Sequence, residues 1–141
     1  MTLATILQQR SGDVVQATPG TPVRAVVQLL ADHRIGAVPV VEDGQVIGIM
    51  SERDVIYSLR RDGAAILEWP VERVMTRPAI TVESSIGILT GLSLMTRRRI
   101  RHLPVVEAGR MIGFISIGDL VKARIELVEG EAEAMRAYIA G

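Results

Sequence analysis

An offset of 65 residues lays one stretch of this chain over another: residues 35–42 fall on residues 100–107, and the match runs without a gap to Asp54 and Asp119. Identities occur at Ile35/Ile100, Pro39/Pro104, Val40/Val105, Val41/Val106, Glu42/Glu107, Gly44/Gly109, Ile47/Ile112, Gly48/Gly113, Ser51/Ser116 and Asp54/Asp119, which is 10 of 20 positions. Average residue usage gives roughly one or two by chance. The chain is therefore an internal duplication, and its 141 residues suit two small halves that share a core.

Both copies carry the same local signals. In the first, residues 14–17 form a short apolar run that predicts a strand. Thr21-Pro22 supplies an N-cap and a proline at the first helical position. Val23, Val26, Val27 and Leu30 follow at helical spacing. Residues 37–41 read as a buried strand, Asp43-Gly44 as a hairpin turn, and residues 45–50 as the return strand. Ser51 caps a helix running to about Arg61. In the second copy the expected elements are a strand over 79–82, a cap at Ser85, and a helical stripe of Ile88, Gly91, Leu92 and Met95. A hairpin over 103–106 and 110–115 follows, then a helix opened by Ser116.

The order strand, helix, strand, strand, helix thus occurs twice. The helix between the first two strands permits their parallel pairing, and the tight turn makes the next pair antiparallel. A short helix precedes the first copy over residues 2–9, and residues 126–139 predict another beyond the second. Trp69-Pro70 interrupts the connecting segment, because a residue before proline is driven from the helical region.

Composition narrows the function classes. Aromatic residues make up only 3% of the chain, so the core is aliphatic. The net charge is zero, without the basic footprint of a nucleic-acid binder. The absence of cysteine excludes disulfides and thiolate metal sites and fits a reducing cytoplasm. No signal peptide and no apolar run long enough for a membrane span is read in the sequence. Neither a P-loop nor a Gly-x-Gly-x-x-Gly or His-Glu-x-x-His motif occurs. Ser51 has no paired base in its own repeat. These features predict a protein that is not an enzyme and needs no metal.

Two segments carry a family resemblance. Gly48-Ile49-Met50-Ser51-Glu52-Arg53-Asp54 and Gly113-Phe114-Ile115-Ser116-Ile117-Gly118-Asp119 both fit a pattern of Gly, an apolar residue, any residue, Ser or Thr, two of any kind, then Asp. The strand segments from Gly36 to Val41 and from Arg101 to Val106, and Val74-Met75-Thr76 ahead of the second copy, complete the match. The chain resembles a tandem pair of CBS domains, a Bateman module, over about residues 8–127. The resemblance implies an α/β (α+β) fold of two pseudo-symmetric βαββα repeats packed through their sheets. The repeats would span residues 8–62 and 74–127, with a helical extension over 128–141.

The motif also has a physical reading. Ser51 and Ser116 stand at helix N-termini, where free N–H groups and the dipole favour an anion. Asp54 and Asp119 lie one turn further in, and a carboxylate suits the two hydroxyls of a ribose. The competing reading is a capping box, in which Ser and Asp satisfy only each other's backbone, and the two roles can coexist. The resemblance implies a nucleotide site drawn from Gly36, Ala37, Pro39, Ser51, Arg53, Asp54, Thr76, Ile80, Arg101, His102, Leu103, Pro104, Ser116 and Asp119. Arg53, Arg101 and His102 would meet phosphates. The first copy has Glu52-Arg53 before its Asp where the second has Ile117-Gly118, so the two sites are expected to differ. Arg97, Arg98 and Arg99 read equally well as a solvated helix end favoured by the dipole, and His33 as a surface residue.

Leu29, Leu89 and Leu94 widen the apolar faces beyond the stripe a surface helix needs, and Gly91 permits close helix approach. Together with the resemblance, this predicts a homodimer, to which Leu127, Met135 and Ile139 of the last helix add contacts. The expected function is a sensor of adenine nucleotides acting on a separate protein. The alternative is a dimerising adaptor with vestigial sites. A nucleic-acid binder using Arg97 to Arg101 and a nucleotide hydrolase are the remaining rivals.

Overall fold

The structure, a computed structural model, describes residues 1–10 and 12–141. Its elements are helix α1 (Leu3–Gln8), α2 (Val23–His33), strands β1 (Ala37–Glu42) and β2 (Gln45–Ser51), α3 (Glu52–Asp62), α4 (Ile88–Arg98), β3 (His102–Glu107), β4 (Arg110–Ser116) and α5 (Ile117–Ala140). Short 3-10 turns at Gly63–Glu68 and Val71–Arg73 fill the connection between repeats. Trp69 and Pro70 lie extended between those turns, the break expected of a residue before proline. The Arg73 guanidinium stacks 3.8 Å from the centre of the Trp69 ring.

Each repeat is built on one antiparallel hairpin, β1–β2 and β3–β4. Asp43-Gly44 and Ala108-Gly109 make the turns with positive φ at both residues, the backbone that matches the twist of paired strands. The expected leading strands are much reduced. Residues 14–17 and 79–82 contribute single parallel bridges, Ala17 to Val40 and Val82 to Val105. Val41 N–H donates to Ala17 O and Val106 N–H to Val82 O, both at 2.8 Å. Bulges at Val40/Val41 and Val105/Val106 lie at these bridges and bend the hairpin there.

Two helix starts differ from expectation. The N-cap of α2 is Pro22, one residue past Thr21. The Thr21 hydroxyl instead takes the Thr18 N–H at 3.1 Å, closing a turn ahead of the helix. The N-cap of α4 is Gly87 rather than Ser85. Residues ahead of it are held by other partners: Leu3 N–H and Ala4 N–H donate to Ile86 O and Ser84 O, and Ser84 bonds to Glu107. The last repeat helix and the predicted extension form one continuous helix, α5.

The core has two centres. Val23, Val26, Val38, Val40 and Met50 anchor the first, and Ile88, Met95, Leu103, Val105, Ile115 and Leu120 the second. Each is completed from outside its own repeat. Leu3 and Ile6 of α1 pack into the second centre, whereas Ile66, Val71, Val74 and Met75 of the connection pack into the first. Full burial of such side chains is worth about 1.5–3 kcal/mol each, so the exchange ties the halves together. The surplus apolar surface of α4 is largely internal: Leu94 packs on the core, and Gly91 accommodates Leu120 and Leu3 of the same chain. Leu89 remains 58% exposed.

Candidate functional site

The duplicated Ser-x-x-Asp segments form full capping boxes. Ser51 Oγ accepts the Asp54 N–H at 3.2 Å, and Asp54 Oδ2 accepts the Ser51 N–H at 2.9 Å. Ser116 and Asp119 repeat this arrangement at 3.2 and 2.8 Å. The next free N–H of each helix is also used: Glu52 N–H donates to Gly36 O and Ile117 N–H to Arg101 O. The capping reading is therefore realised in both repeats, and the carboxylates are oriented by it.

Beyond the boxes the two positions diverge. Asp54 has its second oxygen turned to Thr76, whose hydroxyl donates to Oδ1 at 2.9 Å. Including a contact from Ser51 Oγ at 3.0 Å, Asp54 accepts three hydrogen bonds. An ionised carboxylate has about four acceptor sites, so one remains for an incoming hydroxyl. The Thr76 backbone also pairs with Ile49 in both directions, at 2.9 and 3.0 Å. A Cβ at Gly48 would stand 2.6 Å from Met75 Sδ and 2.9 Å from Thr76 O. Glycine is what allows the connection to cross this strand.

A cleft of about 510 Å³ opens beside Asp54 between the repeats, within the usual size of small-molecule sites. It brings together Ser51, Arg53, Asp54 and Thr76 with Ile80, Arg101 and His102. Arg53, Arg99 and Arg101 face two carboxylates, Glu52 and Asp54, leaving an excess of positive charge. Ile49, Ile56, Ile80 and Ile100 with Tyr57 and Pro78 supply an apolar wall.

The other residues singled out in the sequence lie elsewhere. Gly36 lines an adjacent shallow groove with Leu30, Ala31 and Val55. Ala37, Pro39, Leu103 and Pro104 are buried in the strands, and Ser116 and Asp119 belong to the opposite position. Arg97 and Arg98 are exposed in the last turn of α4, whereas Arg99 caps that helix in the left-handed conformation and reaches the cleft. Tyr57 was not legible as a cleft residue, although it stands three positions after Asp54 on one helix face, the spacing that makes side chains neighbours.

His102 occupies the seam between the two positions. Its ring stacks on Phe114 with centroids 5.4 Å apart, and its Cε1 lies near the space left by the missing side chain of Gly36. Burial pushes its pKa below the ordinary 6.5; Asp119 and Glu52 oppose that shift and Arg101 reinforces it.

Around Asp119 the counterpart of Thr76 is Arg10. Its guanidinium ion-pairs with the Asp119 carboxylate, and Nη1 donates to Phe114 O at 2.6 Å. Leu7 covers Gly113 so closely that a Cβ there would overlap it. The sequence held no signal for this: extending the offset of 65 backwards sets Arg10 against Met75 and aligns Ser11, not Arg10, with Thr76. Burial raises the Asp119 pKa, but the Ser116 backbone N–H and Arg10 outweigh it, and the net shift is downward. Among the described residues, no cluster of side chains suited to a metal occurs, and no helix is long and apolar enough to cross a membrane.

Comparison with known proteins gives the same architecture. The crystal structure of the CBS-domain containing protein ATU1752 from Agrobacterium tumefaciens is similar at a TM-score of 0.82 and 38% identity, covering 88% of this chain and 99% of that one. The structure of CBSX2 in complex with AMP matches at a TM-score of 0.71 and 25% identity, covering 82% of this chain and 90% of that one. In sequence, the mitochondrial CBS domain-containing protein CBSX3 of Arabidopsis thaliana is 34% identical over 135 residues, 92% of this chain and 66% of that protein's length. The family model of the CBS domain matches residues 9–61 and again residues 71–126. With two matched copies, two hairpin-based repeats and a cleft between them, the chain belongs to the CBS-domain family as a tandem pair.

Proposed function

We propose that the cleft beside Asp54 binds an adenine nucleotide, and that the chain is a regulatory sensor acting on a separate protein. The observation that carries this reading is the convergence of one acceptor carboxylate, an apolar wall and several guanidinium groups in one cleft. One ribose hydroxyl meets the remaining acceptor site of Asp54, the base lies against Ile80 and Ile100, and the phosphate faces Arg53, Arg101 and His102. The AMP complex of a CBS-domain relative at 25% identity supports this ligand class. Binding acts on a partner only if it favours one of two arrangements of the repeats.

The reading assigns one ligand per chain. Arg10 and Leu7 fill the position beside Asp119 and Gly113, so that motif serves as a cap. It also includes a homodimer, since Leu89, Val121 and Ile125 stay exposed on the repeat helices.

Isothermal titration of the intact protein with AMP, ADP, ATP and NAD tests the proposal. One site per chain is expected for at least one of them. Asp54→Ala, checked for native circular dichroism, weakens that binding by roughly 10- to 150-fold, the loss of a hydrogen bond to a charged group at about 1.5–3 kcal/mol. No heat with any of the four would overturn the sensor reading in favour of a dimerising adaptor.

A further inference from the structure

Helix α5 has two apolar faces. Leu120, Ala123 and half-buried Leu127 are turned to its own repeat. About 130° around the axis, Val121, Ile125, Val128, Ala132, Met135 and Ile139 form a second row. All six are exposed, Ile125 at 51% and Ile139 at 76%. Their spacing alternates four and three residues, seven residues for every two steps, which is the heptad seam of a left-handed coiled coil. Residues 128–140 are exposed on every side. A solvated helix of that length is marginal alone, and Gly130 lowers its propensity by about a further 1 kcal/mol. Gly130 points directly away from the second row, where no partner would need a side chain.

Charge identifies the partner. The row is flanked by Arg124 and Glu131 on one side and by Glu129 and Arg136 on the other. In a parallel, in-register pair each residue of the first flank faces the residue five further along the other helix. Arg124 then meets Glu129 of the second copy, and Glu131 meets Arg136. Every such contact joins opposite signs, and symmetry doubles them. An antiparallel pair that aligns Val121 with Ile139 sets Glu129 against Glu129, Glu131 against Glu131 and Lys122 against Arg136. Repulsion disfavours it.

We propose that α5 pairs with α5 of a second copy as a parallel two-stranded coiled coil. This rests on the homodimer reading and specifies its geometry. The chain has no cysteine, so single cysteines report it cleanly in the full-length protein. Under mild oxidation at micromolar concentration, Ile139→Cys is expected to form an interchain disulfide in most molecules, and Glu133→Cys, placed off the seam, in few. Sedimentation of the wild type should give a dimer. Glu131→Arg should weaken that dimer about tenfold, and Glu131→Arg with Arg136→Glu should restore it. A monomer would overturn both the dimer and the coiled coil. A dimer in which Ile139→Cys stays unlinked, or links no better than Glu133→Cys, would overturn the coiled coil alone and assign the contact to another face or orientation.

Discussion

The Arg10 guanidinium lies across the Asp119 carboxylate, and the same side chain reaches Phe114 O at 2.6 Å. An arginine from the start of the chain thereby holds the second motif's acid, while the first motif's acid is bonded by the Thr76 hydroxyl at 2.9 Å. Pseudo-symmetric positions therefore differ in charge and access. The Arg10–Asp119 pair is partly solvated, with 38% and 33% of the two side chains exposed, which limits its contribution to stability.

The pair nevertheless has a pH signature. The folded pKa of Asp119 is below its ordinary 3.8, so its stabilising contribution is present above 3.8 and is lost as pH falls through the lower folded value. Arg10→Ala removes one cause of the depression. Acid unfolding followed by circular dichroism should then begin at a higher pH than in the wild type; an unchanged transition would contradict the role of the pair.

His102 titrates in the opposite chemical sense but with the same direction of effect. Its folded pKa is below 6.5 because burial disfavours the imidazolium, against the pull of Asp119 and Glu52. The unfolded chain takes up the proton first, so stability falls as pH drops from 6.5 towards the folded value. Urea midpoints measured across this window should decline for the wild type and flatten for His102→Gln.

The two motif glycines should respond unequally to alanine. At Gly48 the new Cβ meets the Thr76 backbone carbonyl at 2.9 Å, which cannot move without the connection. Gly48→Ala should cost about 1–3 kcal/mol. At Gly113 the obstacle is the end of the Leu7 side chain, which can rotate, so Gly113→Ala should cost less. Equal losses in denaturant titrations would show that Leu7 is as fixed as the backbone.

Arg101 offers a test of ligand orientation. It lines the cleft with Arg53 and Arg99 and would act on phosphate, not on base or ribose. Arg101→Ala should therefore weaken AMP by about tenfold, the loss of one charge-assisted bond, and leave adenosine affinity nearly unchanged. Equal weakening of both ligands would place the phosphate elsewhere.

Much of this architecture follows from local sequence. The offset of 65, the turns at Asp43-Gly44 and Ala108-Gly109, and the Ser-x-x-Asp caps involve residues within a few positions of one another or repeated in register. Hairpin twist and helix capping act over that range, so pattern alone determines them. What lay beyond pattern is set by contacts between distant segments. Residues 14–17 and 79–82 have strand-like apolarity, yet each meets a hairpin through one bridge. Tertiary packing also carried Thr76, Ile80, Arg101 and His102 from the second copy and its leading segment to the first copy's Asp54, and Arg10 to Asp119. Two motifs that share their Gly, Ser and Asp thus acquire different surroundings. A side chain's local sequence orients it, but its charge environment and its access to ligand depend on what the rest of the chain packs against it.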